Sequence, residues 1–334
     1  MEQETWADEV VRLLRQSGDG SFYRLQYFST VDSTNEAVKR AAYAKVDPTD
    51  EAVNRAAYAK VDPTDEAVNQ AAYAKVDPTD EAVNQAAQMS PGAGADPSEN
   101  AGEGLVIIGE EQTAGKGRRG RNWASPSGES IYFSILLRPG IPAEACSAVT
   151  LVAGLSVAQT LRMLYGLDAR IKWPNDIVVD GKKVCGILTE GILEGNTLAG
   201  AVTGIGINVN NRSFPEEIAH RATSVRLEVQ NAGKRNVISE MTIDRARLLA
   251  SVLHNFRQRY AVFCKDGSMG ALREEYVSIL AGLGSTVVIE DPAGSYSGKC
   301  LGIDERGRLL IEREDGASVR VSSGEVSVRG IYTI

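Results

Sequence analysis

Apolar positions Trp6, Val10, Val11, Leu13 and Leu14 share one face of a short amphipathic helix within residues 1–20, which the cluster of Ser17, Gly18 and Gly20 brings to an end. Phe22 to Val31 reads as a strand, and Asp32-Ser33-Thr34-Asn35-Glu36 then offers several capping side chains for a helix entered at Ala37 and Val38. From residue 105 the signals become dense. Strands are predicted over Leu105–Gly109 and Ser130–Leu137, and an apolar-striped helix over Ala145–Tyr165. A hairpin of Ile171–Val179 and Val184–Leu193 turns through Asp180-Gly181-Lys182, a further strand covers Thr197–Asn208, and a helix pair lies between Thr242 and Leu280. Beyond Gly282 short alternating runs (Thr286–Ile289, Lys299–Ile303, Leu309–Glu312, Val319–Ser322, Val326–Val328) fall between Gly and Asp turns, as in a small all-β module.

One stretch breaks this order. Ala41–Arg55 reads AAYAKVDPTDEAVNR and recurs almost letter for letter at Ala56–Gln70 and Ala71–Gln85. Each unit carries a short helical stripe and a Val-Asp-Pro-Thr break, because Pro ends one helix and Thr can cap the next. Such short helices have little stability of their own, so the repeats are expected to be a duplication that the chemistry does not need. Residues 89–104, rich in Gly, Pro, Ser and Ala, read as a linker. The expected organisation is a short N-terminal helix (1–20), an α+β catalytic domain (21–280) interrupted by helical repeats (41–85) and the linker (89–104), and a C-terminal β-barrel (281–334).

Composition narrows the function. With 334 residues, 43% of them hydrophobic, the chain can bury a large core. Its 36 Lys and Arg against 44 Asp and Glu leave a net charge of −8, a surface that repels phosphate backbones, so non-specific nucleic-acid binding is not expected. No uninterrupted apolar stretch suggests a membrane span, and residues 1–20 lack the order of a signal peptide; a cytoplasmic protein with no membrane partner is expected. Cys146, Cys185, Cys264 and Cys300 stand far apart and His220 and His254 have no ligand-like neighbours, so no dedicated metal site is expected. Chemistry must therefore lean on Lys, Arg, Asp and Asn.

Four segments carry such chemistry. Gly115-Lys116-Gly117-Arg118-Arg119-Gly120-Arg121 contains a G-x-G-x-x-G pattern, yet it runs on into Asn122-Trp123 with no helix, and Arg138 sits where a dinucleotide fold would place its acid. It reads instead either as a mobile loop whose N–H groups and cations close over an anion or as a solvated basic turn. In Lys172-Trp173-Pro174-Asn175-Asp176 the proline fixes a turn, so that Asn175 and Asp176 are presented at set angles, for catalysis or as a structural Asx turn. A carboxylate so held could orient an amine or accept its proton. Lys183, in Lys182-Lys183-Val184-Cys185-Gly186, either enters a site or snorkels to solvent. Gly204-Ile205-Gly206-Ile207-Asn208 is a strand whose glycines admit close approach.

Together with Ser33-Thr34-Asn35, Phe214-Pro215-Glu216 and Ala222-Thr223-Ser224, these segments resemble the biotin protein ligases, in the family's order, over roughly Phe22 to Arg329. The resemblance implies a mixed-sheet catalytic domain of the biotin/lipoate ligase type with an SH3-like C-terminal barrel. It implies biotin-[acetyl-CoA-carboxylase] ligase activity: biotin and ATP, with Mg²⁺ accompanying the nucleotide, give biotinyl-adenylate, which acylates one lysine of a biotin carboxyl carrier protein. By the same resemblance Ser33, Thr34, Asn35, Gln112, Gly115, Lys116, Gly117, Arg118 and Lys183 would bind biotin. Arg118, Arg119, Arg121, Trp123, Asn175, Lys183, Asn208 and Arg329 would bind the nucleotide, and Phe214, Thr223 and Ser224 would cover the adenylate. Lys183, Arg118 and Asp176 are the catalytic candidates. Lys116 departs from the family, where an Arg is expected. A lipoate or octanoate ligase of the same fold is the alternative; a biotin-responsive repressor is disfavoured because residues 1–20 leave no room for a DNA-binding domain. A homodimer is compatible with the sequence.

Overall fold

A computed structural model describes residues 5–43, 102–195, 197–232, 242–290, 294–322, 324–328 and 331. The repeats beyond residue 43, the linker up to residue 101 and Arg329 lie outside the described residues.

The N-terminal helix α1 (Trp6–Gln16) starts with a capping box between Thr5 and Asp8 and buries Ala7, Val10 and Leu14. Strand β1 (Arg24–Phe28) follows, then α2 (Thr34–Tyr43). The second helix begins three residues earlier than its apolar stripe suggested: the Ala37 amide already bonds to the Ser33 carbonyl at 2.9 Å. This puts Thr34 and Asn35 in the first helical turn, where both are buried. Next come β2 (Leu105–Gly109), β3 (Ile131–Leu137) and the long helix α3 (Ala148–Tyr165), which ends at Gly166 with φ 63°, the left-handed stop that glycine tolerates.

The run Ile171–Val179, expected as one strand, is two: β4 (Arg170–Lys172) and β5 (Asp176–Val179), paired antiparallel with Lys172 opposite Asp176. Pro174 has no N–H to give a ladder, so Trp173-Pro174-Asn175 forms the bend between them. The turn Asp180-Gly181, with φ 47° and 72°, links β5 to β6 (Lys182–Glu194) with positive φ at both central positions, as the tightest hairpins require. Strand β7 (Thr197–Ile207) completes a seven-stranded sheet in the order β1-β2-β3-β7-β6-β5-β4, with β1 and β2 parallel and the other pairs antiparallel.

Two short helices, α4 (Glu216–Ala219) and α5 (Val225–Asn231), fall in a region read only as motifs; each is too brief to show a stripe. Helix α6 (Arg245–Phe263) and the short α7 (Arg273–Ser278) form the expected helix pair. Hydrophobic side chains pack on both faces of β2 and β3. Leu105, Ile107, Leu136 and Val202 pack with Val38 of α2 on one side, whereas Val106, Ile108, Phe133 and Ile135 join the larger core under α3 and α6 on the other. The alternation along β2 is the period-2 signature of a strand buried on both faces. By length and hydropathy Ala143–Tyr165 could cross a membrane, but α3 is mostly buried between the sheet and α6.

The C-terminal module is a five-stranded antiparallel sheet of β8 (Thr286–Glu290), β9 (Tyr296–Ile303), β10 (Leu309–Glu312), β11 (Ser318–Val321) and β12 (Glu325–Val328), in the order β11-β10-β9-β8-β12. Strand number and order suit the expected SH3-like barrel. It is seated on the catalytic domain at the bend just described: the Trp173 indole N–H donates to the Gly307 carbonyl at 3.0 Å. Gly307 has φ 77°, and a Cβ there would stand 2.4 Å from the Leu151 side chain on α3, so no other residue lets the module approach so closely. Backbone bonds of Ile171 to Ile279 and Ala281, both 2.9 Å, cover the exposed edge of β4.

Candidate active site

The centre of the sheet is bare on one face. Gly186 of β6 lies directly opposite Gly206 of β7, and Gly204 lies between Ser134 of β3 and Leu188 of β6. Because these positions carry no side chains, other groups come down onto the backbone. Added Cβ atoms at Gly186 and Gly206 would meet the Trp123 indole at 2.8 and 2.6 Å, and one at Gly204 would meet Asn35 Oδ1 at 2.0 Å. Gly204 and Gly206 thus serve the close approach expected of them, and Gly186 serves it too.

One wall is a polar network at the start of α2. Gln112 Oε1 accepts from the Thr34 amide at 2.9 Å and from Thr34 Oγ1 at 3.1 Å, while Gln112 Nε2 donates to Ser125 Oγ at 2.8 Å. Ser134 Oγ lies 2.7 Å from Thr34 Oγ1 and 2.6 Å from Asn35 Oδ1. Asn35 Nδ2 donates to Glu190 at 2.7 Å. Satisfied networks of this kind hold their members in one arrangement. Ser125, Ser134 and Glu190 were not foreseen; the signal for Ser134 was a lone serine within the apolar run Ile131–Leu137.

The glycine-rich loop forms the opposite wall. It is a small hairpin: the Trp123 amide donates to the Gly115 carbonyl at 2.9 Å, the Gly117 amide donates to the Arg121 carbonyl at 2.7 Å, and a 3₁₀ turn spans Arg118–Gly120. A Cβ at Gly115 would stand 2.4 Å from the Trp123 carbonyl, which explains glycine there. Arg118 Nη1 donates to Asn175 Oδ1 at 2.9 Å, joining the loop to the bend after β4. Lys116 turns its side chain outward, to Glu36 of α2 at 2.8 Å.

Lys183 sits between the walls. Its ammonium is 2.6 Å from Asp176 Oδ1 and 5.0 Å from the centre of the Trp123 ring. Only 26% of the lysine and 13% of the aspartate side chain is exposed, so Lys183 enters the site instead of snorkelling. Asp176 holds the lysine in place instead of standing alone. The cleft bounded by these groups is a cavity of about 50 Å³ lined by Ser33, Thr34, Asn35, Gln112, Lys116, Gly117, Arg118, Trp123, Asn175 and Lys183 among others.

Other candidates lie elsewhere. Arg119 and Arg121 are exposed on the loop's outer side. Asn208 follows β7 and donates to the Thr223 carbonyl at 3.0 Å. Phe214 is half-buried outside the cleft lining. Thr223 and Ser224 are buried: Thr223 hydrogen-bonds Glu228, and Ser224 caps α5 by accepting from the Leu227 amide at 3.2 Å. These two lie outside the cleft lining and fix the chain beside β6, where the Thr223 amide bonds to the Lys183 carbonyl at 2.9 Å.

Comparison with known proteins agrees with this geometry. Residues 88–208 match the biotin/lipoate A/B protein ligase family, and residues 282–329 match the biotin protein ligase C terminal domain. The chain is similar to the bifunctional ligase/repressor BirA of Bacillus spizizenii, 38% identical over 66% of this chain and 65% of that protein. It is similar too to the biotin–[acetyl-CoA-carboxylase] ligase of Mycobacterium tuberculosis, 31% identical over 67% of this chain and 79% of that one. The match thus spans somewhat under two thirds of the length of the Bacillus relatives. Among solved structures, a biotin protein ligase from Aquifex aeolicus in complex with biotin and ATP superposes with a TM-score of 0.62 at 28% identity, covering 92% of this chain and 99% of that one. On fold, site and both family matches, the chain belongs to the biotin protein ligase family.

Proposed function

We propose that the chain activates biotin with ATP to biotinyl-5′-adenylate and transfers the biotinyl group to a lysine of a biotin carboxyl carrier protein. The observation that carries this is the placing of Lys183, a held ammonium between a neutral hydrogen-bonding wall and a basic, glycine-rich loop. A carboxylate oxygen attacking the α-phosphorus must overcome the repulsion of two anions before pyrophosphate can leave. A compact cation between them offsets that repulsion and stabilises the charge that builds up. In the second half-reaction the carrier's lysine amine attacks the acyl carbon and AMP departs.

Residue roles follow the placement. The Ser33–Asn35 segment and Gln112 hold the ureido ring system of biotin, which is neutral and offers both donors and acceptors. The loop backbone and Arg118 close over the acyl-phosphate, with Asn175 steadying Arg118. Trp123 stacks on the adenine after lifting from Gly186 and Gly206; Asn208, Arg119 and Arg121 serve the nucleotide from outside the cleft, and Arg329 is assigned to the triphosphate. Asp176 keeps Lys183 oriented during adenylation and accepts the incoming amine's proton during transfer. Mg²⁺ enters with the triphosphate. The four free cysteines suit a reducing, cytoplasmic compartment.

Lipoate or octanoate transfer on the same fold is the second reading. The match of residues 282–329 to a biotin ligase module favours biotin. Repressor activity, which the name of the Bacillus relative includes, is not part of the proposal. The deciding test is ATP–pyrophosphate exchange with the purified chain: biotin should support it and lipoate should not, and equal exchange with both acids would overturn the assignment.

A further inference from the structure

Two side-chain contacts of the glycine-rich loop reach opposite sides of the cleft. On one side Arg118 bonds to Asn175 at 2.9 Å, within the machinery already described. On the other, Lys116 Nζ reaches Glu36 Oε1 at 2.8 Å. Glu36 lies on α2, one residue beyond the Ser33–Asn35 wall, so the pair bridges the two walls across the opening. Glu36 is itself anchored: Lys39 lies 3.2 Å from the same carboxylate oxygen and 2.7 Å from Glu190, whose other oxygen accepts from Asn35 at 2.7 Å. A chain of contacts therefore runs from the wall, through Glu190, Lys39 and Glu36, to the loop.

We propose that Glu36 is a positioning residue for the loop: its ion pair with Lys116 holds the loop down over the cleft and slows escape of the acyl-adenylate before a carrier arrives. The proposal rests on the function proposed above. A mixed anhydride that leaves the cleft acylates any amine it meets, so a tie across the opening has a chemical consequence that a surface ion pair elsewhere would lack. It also accounts for the departure noted at Lys116. A lysine, with its flexible stem and point charge, can reach a single carboxylate oxygen on the neighbouring helix without the fork geometry an arginine would need to satisfy. Although partial burial pushes the Glu36 carboxyl up, its bonds to Lys116 and Lys39 outweigh this and hold it below the ordinary range, so Glu36 is ionised throughout neutral pH.

Lys116 is half-exposed, with 51% of its side chain accessible, so the tie is of the strength usual for surface pairs and the expected effect is about a two- to five-fold change. Two readouts are used on the full chain. The first needs no ligand: trypsin cleavage within residues 118–121 should be about two to five times faster in Glu36→Gln than in the parent. The second is the rate at which preformed biotinyl-adenylate dissociates, which should rise by the same factor while its rate of formation stays unchanged. A double-substitution cycle separates this from a merely structural role: Glu36→Gln combined with Lys116→Gln should be no leakier than either alone, since both remove one interaction. Raising the salt concentration should loosen the parent's loop and leave the double variant unmoved. Additive effects, or parent-like cleavage and release in Lys116→Gln, whose exposed side chain endangers no fold, would overturn the proposal. If the parent forms no adenylate at all, the functional reading fails instead, and the cleavage comparison still decides whether the pair pins the loop.

Discussion

Two glycines two residues apart on β7 give the sharpest stability contrast in the molecule, because the same added methyl group meets a fixed neighbour at one and a movable neighbour at the other. In Gly204→Ala the new Cβ would stand 2.0 Å from Asn35 Oδ1 and 2.9 Å from its Cγ. Asn35 is 4% exposed and tied to Glu190 and Ser134, so it can yield only by giving up those partners. Loss of a hydrogen bond to a charged group costs about 1.5–3 kcal/mol and overpacking a filled site about 1–3 kcal/mol. Replacing a strand glycine returns roughly 0.5–1 kcal/mol, so the net loss should be about 3 kcal/mol. In Gly206→Ala the obstacle is the Trp123 ring, 2.6 Å away at Nε1, on a half-buried loop residue whose indole N–H has no partner to lose. That variant should keep its stability to within about 0.5 kcal/mol while its indole shifts toward water. Urea unfolding measures the first effect. The emission of Trp123, taken as the difference from a Trp123→Phe protein, measures the second. Equal destabilisation by the two substitutions, or a parent-like Gly204→Ala, would refute the reasoning that the wall is rigid and the indole mobile.

Other expectations follow from individual contacts. Lys183→Ala should abolish biotin-dependent pyrophosphate exchange, since the lysine is proposed to bond two anions at about 1.5–3 kcal/mol each; near-normal exchange would return it to a spectator. Trp173→Phe should cost about 1–2 kcal/mol, because the Gly307 carbonyl loses its indole donor at 3.0 Å, and denaturation of the whole chain should register it. Glu110 is partly buried, which pushes its carboxyl up, but bonds from Trp6, Arg245 and Tyr27 win and hold it below the ordinary range. A lowered folded-state pKa means stability that is present above the unfolded value and lost as pH falls. Glu110→Gln should therefore cost about 2 kcal/mol at pH 7 and progressively less below about pH 4; a difference independent of pH would contradict this.

What was legible beforehand, and what was not, has a physical pattern. Local signals located β2 at Leu105–Gly109, β10 at Leu309–Glu312 and the Asp180-Gly181 hairpin, since alternation and turn chemistry act between near neighbours. Lys183 and the glycines at 204 and 206 stood out because a cation and missing side chains are conspicuous in apolar strands. The break at Trp173-Pro174-Asn175 was seen as a turn in the motif yet passed over in the strand count, for want of any period-2 interruption except proline itself. Contacts distant in sequence were invisible. Glu36 meets Lys116 across 80 positions, and Gly307 is an ordinary turn glycine until Leu151 and Trp173 are seen against it. The local hydrogen bonding of Thr223 and Ser224 was hidden for the same reason, since a helix as short as α5 gives no stripe to reveal that Ser224 is its cap.

The most direct test of the central claim is to mix the purified chain with biotin and ATP, recover the bound small molecule, and then add an apo carrier domain. Biotinyl-adenylate should be found by mass with one equivalent of pyrophosphate released, and one carrier lysine should then gain a biotinyl group as AMP appears. Recovery of unreacted biotin and ATP from a folded, biotin-saturated protein would contradict the proposed function.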